Sequence, residues 1–284
     1  MAGTLYLVAT PIGNLEDITH RALRVLASVA VVACEDTRRT RVLLDHYGIK
    51  SKLVSYHEHN EQTRASELGE MIEAGSDVAI VSDAGTPGIN DPGFRLVQER
   101  AARGGRIVPV PGPTAFVAAL VVSGLPTDQF FFGGFLPARS TQRRARLMQL
   151  RSLASTLIFY ETPHRIREAL SDAREVLGER EAVVVREITK IHEEILRGRL
   201  SELAERFAAD DLARGEMVLL IDRSVIGEAT TAKSSAEDVA ERVRSLEREG
   251  LSARDALKRT ARELGLSRSE AYRRLTASKA LDRD

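Results

Sequence analysis

The stretch Val78-Ala79-Ile80-Val81-Ser82-Asp83-Ala84-Gly85-Thr86-Pro87-Gly88-Ile89-Asn90-Asp91-Pro92-Gly93-Phe94 decides how the chain is read. Residues 78–81 form a short continuous apolar run, the pattern of a strand buried on both faces. Three glycines and two prolines in 85–93 then give a stiff backbone that a ligand can approach closely. A helical apolar spacing follows over 94–102. Strand, permissive loop and helix make half of a βαβ unit, and a ligand site in such sheets lies beyond the strand's C-terminal end.

The same beat continues outward. Apolar runs over 5–9, 29–34, 53–56 and 107–110 read as strands. Helical patterns over 21–27, 38–46 and 62–73 separate them, and Gly48, Gly75 and Gly104 punctuate helix ends. An apolar helix over 114–122 follows Pro111-Gly112-Pro113. Residues 1–123 are therefore expected to form an α/β domain with a five-stranded, mostly parallel sheet. Ser123-Gly124-Leu125-Pro126 reads as a boundary. A second α/β domain is expected over 124–229, with strands at 156–160, 183–188 and 217–221 and a helix over 166–177. Residues 230–235 read as a linker. In the tail, 234–284, Ser234 with Glu237, Ser252 with Asp255, and Ser267 with Glu270 have capping-box spacing. Three short capped helices resemble a helix-turn-helix bundle, which suits nucleic-acid contact and protein docking equally.

Composition narrows the class. The 284 residues are 43% hydrophobic and 29% charged, enough to bury cores. The single cysteine, Cys34, excludes an intramolecular disulfide framework and a Cys-rich zinc site, and reads as a core residue. No apolar run approaches the length of a membrane span, and the N-terminus lacks a basic signal region, so a cytoplasmic protein is expected. His57 and His59 flank Glu58, but no third ligand is spaced to help, and no metal is expected. The first strand is not followed by G-x-G-x-x-G, and P-loop and G-x-S-x-G patterns are absent.

Polar and permissive residues gather after every strand: Thr10-Pro11-Ile12-Gly13-Asn14, Glu35-Asp36-Thr37-Arg38-Arg39, His57-Glu58-His59-Asn60, the 82–93 loop, and Pro111–Ala115. Ser82 and Asp83 end a buried strand, where a carboxylate suits a ribose, an amine or a proton. Tyr160-Glu161-Thr162-Pro163-His164-Arg165 and 186–193 do the same in the second domain. If the two domains face each other, these loops wall one cleft. Glu187 and Lys190 are acid–base candidates there, or else a surface ion pair.

Together, residues 5–17, Glu35-Asp36-Thr37-Arg38, the 82–93 loop, Val110-Pro111-Gly112-Pro113 and Phe159–Arg165 resemble, in order, the ribosomal RNA small subunit methyltransferase I family. The 251–275 segment is similar to that family's C-terminal helical piece. The resemblance implies a two-domain class III fold of the tetrapyrrole methylase superfamily, homodimerisation, and S-adenosylmethionine as cofactor. It implies 2′-O-methylation of a cytidine ribose in the decoding centre of 16S ribosomal RNA. Carried over by motif, the cofactor contacts are Pro11, Ser82, Asp83, Ala84, Thr86, Ile89, Thr114, Ala115, Phe159, Tyr160 and Met217. Glu187, Asp83 and Glu35 are the carboxylates expected to act as base or positioner, with Lys190 stabilising negative charge. Three rivals fit part of the pattern: a DNA-binding regulator with a ligand-sensing α/β part, a small-molecule tetrapyrrole methylase, and a non-catalytic ribosome assembly factor.

Net charge is zero, from 41 basic and 41 acidic residues, but it is unevenly distributed. Residues 129–160 hold five arginines and no acid, and 233–284 hold 13 basic against 10 acidic residues. Arg38, Arg39, Arg139, Arg143, Arg144 and Arg146 are therefore the expected RNA contacts, a solvated helix face being the alternative for the arginines of 139–151.

Overall fold

The computed structural model describes residues 2–91, 93–209, 214–223 and 236–263, with 271, 272 and 275. These form two compact units, 1–148 with 156–222, and 149–155 with 223–284.

The first unit holds two five-stranded sheets. Strands β1 (Leu5–Val8), β2 (Val31–Cys34), β3 (Leu53–Ser55), β4 (Val78–Val81) and β5 (Ile107–Val110) alternate with helices α1 (His20–Ser28), α2 (Thr37–His46), α3 (Glu61–Glu73) and α4 (Phe94–Ala102). All pairings are parallel, in the order β3-β2-β4-β1-β5. β2 and β4 are buried along their whole length because apolar clusters cover both faces. The order places β1 beside β4, and their following loops meet there. Thr10 and Gly85 exchange backbone hydrogen bonds of 2.9 and 3.0 Å, and Thr10 Oγ1 donates to Ser82 O at 3.1 Å. A crevice at such a switch in strand order is where open α/β sheets bind ligands.

The second sheet contains β6 (Phe130–Phe135), β7 (Thr156–Glu161), β8 (Glu181–Arg186), β9 (Glu194–Arg199) and β10 (Met217–Ile221), in the order β6-β7-β10-β8-β9. Only the β6–β7 pair is parallel. Helices α6 (Ser140–Leu150), α7 (Pro163–Leu177) and α8 (Leu200–Ala209) accompany it. Helix α5 (Ala115–Ser123), which the sequence placed with the first sheet, packs on the second: Phe116, Ala119 and Leu120 cluster with Ile158, Val183, Val218 and Leu220. Arg197 of β9 holds its end, donating to Ser123 O at 2.9 Å. The chain thus crosses between sheets before the expected boundary at 123/124.

The second unit contains α9 (Ala236–Arg248) and α10 (Ala253–Glu263). The predicted cap at Ser252 forms, with Asp255 N donating to Ser252 Oγ at 3.2 Å. Val239, Val243, Leu246, Leu257 and Ala261 close a small core. Ser234, Ser267 and Glu270, on which the first and third predicted caps depended, lie outside the described residues. Among the described residues no helix is long and apolar enough to cross a membrane.

Candidate active site

A cavity of about 380 Å³ opens inside the first unit, where the loops after β1 and β4 face the ends of β7 and β10. Its middle is apolar: Ile12, Ala84, Ile89, Ala115, Ile188, Met217 and Val218 line it. Thr86 and Thr114 share a 2.8 Å hydroxyl–hydroxyl bond that ties the β4 loop to the start of α5. Tyr160 and Phe135 form an aromatic edge, their ring centroids 5.6 Å apart. Arg39, Asp83 and Asp91 form a polar end.

The polar end is built from strand termini. Asp83 Oδ1 accepts the Asp36 backbone N–H at 3.0 Å, and its other oxygen lies 3.5 Å from the Arg39 guanidinium. Burial pushes the Asp91 carboxyl up to about 6, reinforced by Glu35 and Asp83; the Ser82 hydroxyl opposes the shift. Burial and Asp83 also raise Glu35. Three carboxylates thus converge on one edge of the first sheet.

Of the sequence-predicted cofactor residues, Asp83, Ala84, Thr86, Ile89, Thr114, Ala115, Tyr160 and Met217 line the cavity together. Phe159 does not. Strand alternation turns Tyr160 inward and Phe159 to the opposite face, where its fully buried ring lies over Gly133. Ser82 is buried beneath the loop, its hydroxyl donating to Ala84 O at 3.2 Å, and Ile12 rather than Pro11 reaches the wall. Glu35 stands behind Asp83, outside the lining.

Glu187 and Lys190 also lie outside it. Lys190 Nζ is 2.8 Å from Glu187 Oε1 and 3.1 Å from Glu216 Oε2, and Glu216 N donates to the same Glu187 oxygen at 2.8 Å. Burial works against the Glu187 charge, but these partners outweigh it and hold the carboxyl below its ordinary range, which makes it a weak base. The predicted acid–base pair is an ion cluster with Glu216, and Ile188 and Glu216 are its neighbours that reach the cleft.

The basic stretch needs the larger correction. Arg143 is 1% exposed: its Nε is 2.7 Å from Asp172 and its Nη2 3.1 Å from Glu168. Arg144 bonds Asp172 at 2.6 Å and Glu175 at 2.6 Å. Both fasten α6 to α7, and Arg146 sits 5.5 Å over the Phe131 ring. Arg143 is therefore structural and sealed from a phosphate, while Arg144, though paired, keeps 42% of its side chain exposed. Arg38, Arg39 and Arg139 remain exposed, Arg39 at the cavity rim.

Sequence reading missed Asp91 and Phe135. Asp91 stood in the quoted loop among many polar residues. Phe135 comes to the cleft through a bulge in β6 that its Gly133-Gly134 pair creates, a feature without a strand-like signal.

Fold and cleft define a methyltransferase of the tetrapyrrole methylase type. The model of the tetrapyrrole (corrin/porphyrin) methylases matches residues 4–204. Solved structures with the same fold include a cobalt precorrin-4 methyltransferase (TM-score 0.57, 18% identity, 76% of this chain and 94% of that one). Another is the Thermus thermophilus uroporphyrin-III C-methyltransferase complexed with S-adenyl homocysteine (TM-score 0.54, 21% identity, 77% and 97%). Among curated proteins, ribosomal RNA small subunit methyltransferase I of Mesorhizobium japonicum is 47% identical over 272 residues, 95% of this chain and 90% of that protein. Its Pseudomonas aeruginosa counterpart is 52% identical over 222 residues, 78% and 79% respectively. The chain belongs to the ribosomal RNA small subunit methyltransferase I family.

Proposed function

We propose that this chain methylates the 2′-oxygen of a cytidine ribose in the decoding centre of 16S ribosomal RNA, using S-adenosylmethionine, in the cytoplasm. The observation that carries the reading is the cleft: an apolar middle sized for a small cofactor, with carboxylates and an exposed arginine at one end. The residues present fit the cofactor. Apolar walls suit its adenine, and Asp83 suits a cationic sulfonium compound. When bound, S-adenosylmethionine supplies an activated methyl group. The chain's part is to align the ribose oxygen with that methyl, exclude water, and take up the hydroxyl proton. Thr86, Thr114 and Ile89 hold the cofactor's surroundings rigid, while Asp83 fixes Arg39 at the rim, where it meets a phosphate. Glu35 tunes this end electrostatically from behind. The target nucleotide must be splayed out of its stack to enter.

The protein is expected to act as a homodimer. Val117 and Val121 on α5 and Phe130 on edge strand β6 are exposed apolar residues, Val121 at 68%. Light scattering of the wild type and Val121→Glu checks this.

The deciding experiment supplies tritiated S-adenosylmethionine with 30S subunits, naked 16S RNA, DNA or uroporphyrinogen. Label in 30S subunits, released on digestion as 2′-O-methylcytidine, is the expected result. Label in uroporphyrinogen alone, or in nothing despite cofactor binding, overturns it.

A further inference from the structure

Asp91 lies two residues before Gly93, the N-cap of α4, and lines the cleft. The residue before it, Asn90, is a non-glycine in the left-handed region, φ 62°. Its amide lies against Gly134, where a Cβ would fall 2.6 Å from it. The loop end is therefore clamped onto the β6 bulge. From there the Asp91 carboxyl lines the cavity beside the Ser82 hydroxyl, with Asp83 and Tyr160 also in the lining and Glu35 outside it but close enough to act on the Asp91 charge.

We propose that Asp91 is the group that receives the proton of the substrate's ribose 2′-hydroxyl during methyl transfer. This deepens, and rests on, the RNA 2′-O-methylation reading above. As the ribose oxygen bonds the methyl carbon with its lone pair, the carbon–sulfur electron pair stays on sulfur and neutralises the sulfonium. The hydroxyl proton passes to an Asp91 carboxylate oxygen and then to water.

Four other carboxylates at or beside the cleft already have polar partners. Asp83 accepts the Asp36 N–H and faces Arg39. Glu187 is locked to Lys190 and the Glu216 N–H. Glu161 and Glu216 line the cavity too, but Glu161 Oε1 accepts the Thr162 N–H at 2.9 Å and lies 3.3 Å from Arg165, and Glu216 pairs with Lys190 at 3.1 Å. Among the described residues no cation pairs with Asp91. The charged and titratable groups facing it are Glu35 after β2, Asp83 after β4, Tyr160 of β7 and, through Asp83, Arg39 of α2. Burial first, then the charges of Glu35 and Asp83, push the carboxyl up to about 6, ionised at neutral pH and still basic enough to take a proton.

The test is Asp91→Asn in the full chain, with three readouts. Single-turnover methylation of 30S subunits should fall by about 100-fold or more. S-adenosylhomocysteine affinity, by calorimetry, should stay within about threefold of wild type, since a base acts on the substrate proton. The wild-type rate should rise with pH to a plateau through an apparent pKa of about 6. That limb should be missing in Asp91→Asn and displaced to lower pH in Glu35→Gln. Thermal unfolding supplies the readout independent of activity. A raised carboxyl costs stability as pH climbs from its unfolded value towards 6, so Asp91→Asn should melt above wild type at pH 7.5 and level with it at pH 4. An Asp91→Asn rate within tenfold of wild type with the limb intact overturns the proposal. So does a loss of S-adenosylhomocysteine affinity as large as the loss of rate, which makes Asp91 a cofactor ligand. Wild-type protein that labels no RNA overturns the methylation reading itself, and the proposal with it.

Discussion

Arg143 is the largest side chain among those the fold buries completely. A buried guanidinium is tolerable only when its donors are matched, and here Asp172, Glu168 and the Ala138 carbonyl at 3.1 Å match them. Truncating one partner leaves the other charge uncompensated. Arg143→Ala is therefore expected to lower unfolding free energy by about 3–5 kcal/mol, read by urea denaturation. Adding Asp172→Leu should not recover that loss, since Asp172 still holds Arg144 at 2.6 Å and Ser140 at 2.9 Å. Asp172 also sets an acid limit. Burial opposes its charge, but Arg144, Ser140 and Arg143 outweigh burial and hold the carboxyl below its ordinary range. For a depressed carboxyl the stabilisation is complete above the unfolded value of about 3.9 and is lost as pH falls through the folded one. Thermal scans from pH 6 to pH 2 should show wild type losing stability at the acid end and Asp172→Asn losing less. Charge reversal at 143 and 144 would report on folding before it reported on RNA.

At the level of elements, the cleft depends on how the β4 loop meets the β6 bulge. Gly134 has φ 63° and no room for a side chain beside Asn90, so both its conformation and its bareness are used. Gly134→Ala should displace Asn90, loosen the 82–93 loop and weaken S-adenosylhomocysteine binding by about tenfold, a change calorimetry can read. Unaltered affinity would show that the clamp is dispensable. The same pair of elements shows what was legible in the chain. β4 and its loop were, because a wholly apolar run ending in Gly, Pro and Asp has few other readings. All five strands of the first sheet were, for the same reason: parallel strands covered on both faces are continuous apolar runs. β6 and β9 were not. β6 carries two adjacent glycines, and β9 is an edge strand with Arg197, Gly198 and Arg199, where one side needs no burial. α5 was legible as a helix but not in its allegiance, since an all-round apolar helix does not say which sheet it covers. The wall residues followed from strand ends. Asp91 and Phe135 required the bulge to bring them together.

Over the whole molecule, the zero net charge separates into neutralised and exposed parts. The acid-free segment 129–160 looked like a polyanion site, but α7 supplies Glu168, Asp172 and Glu175 against its arginines. Spatial pairing thus answers two of the segment's five arginines, Arg143 and Arg144. The tail is different. On α10, Arg254, Lys258 and Arg262 are exposed at i, i+4 and i+8, while Leu257 and Ala261 face the core of that unit. A basic stripe on one helix face is the electrostatic footprint of a phosphate backbone. Each phosphate contact contributes about 0.7 to the slope of log affinity against log salt for single-stranded nucleic acid. Reversing all three residues to glutamate should therefore flatten the slope for 16S RNA binding by about 2 and weaken binding most at low salt. S-adenosylhomocysteine affinity should not change, because the cavity is lined wholly by residues of the first unit. Circular dichroism checks that the helices persist. An unaltered salt slope would remove the stripe from the RNA contact and leave the tail to protein docking, the other use its helices allowed. The measurement also separates Arg39 from the tail: Arg39→Glu should cut the slope by roughly one contact and lower methylation as well, since it acts at the rim of the cleft.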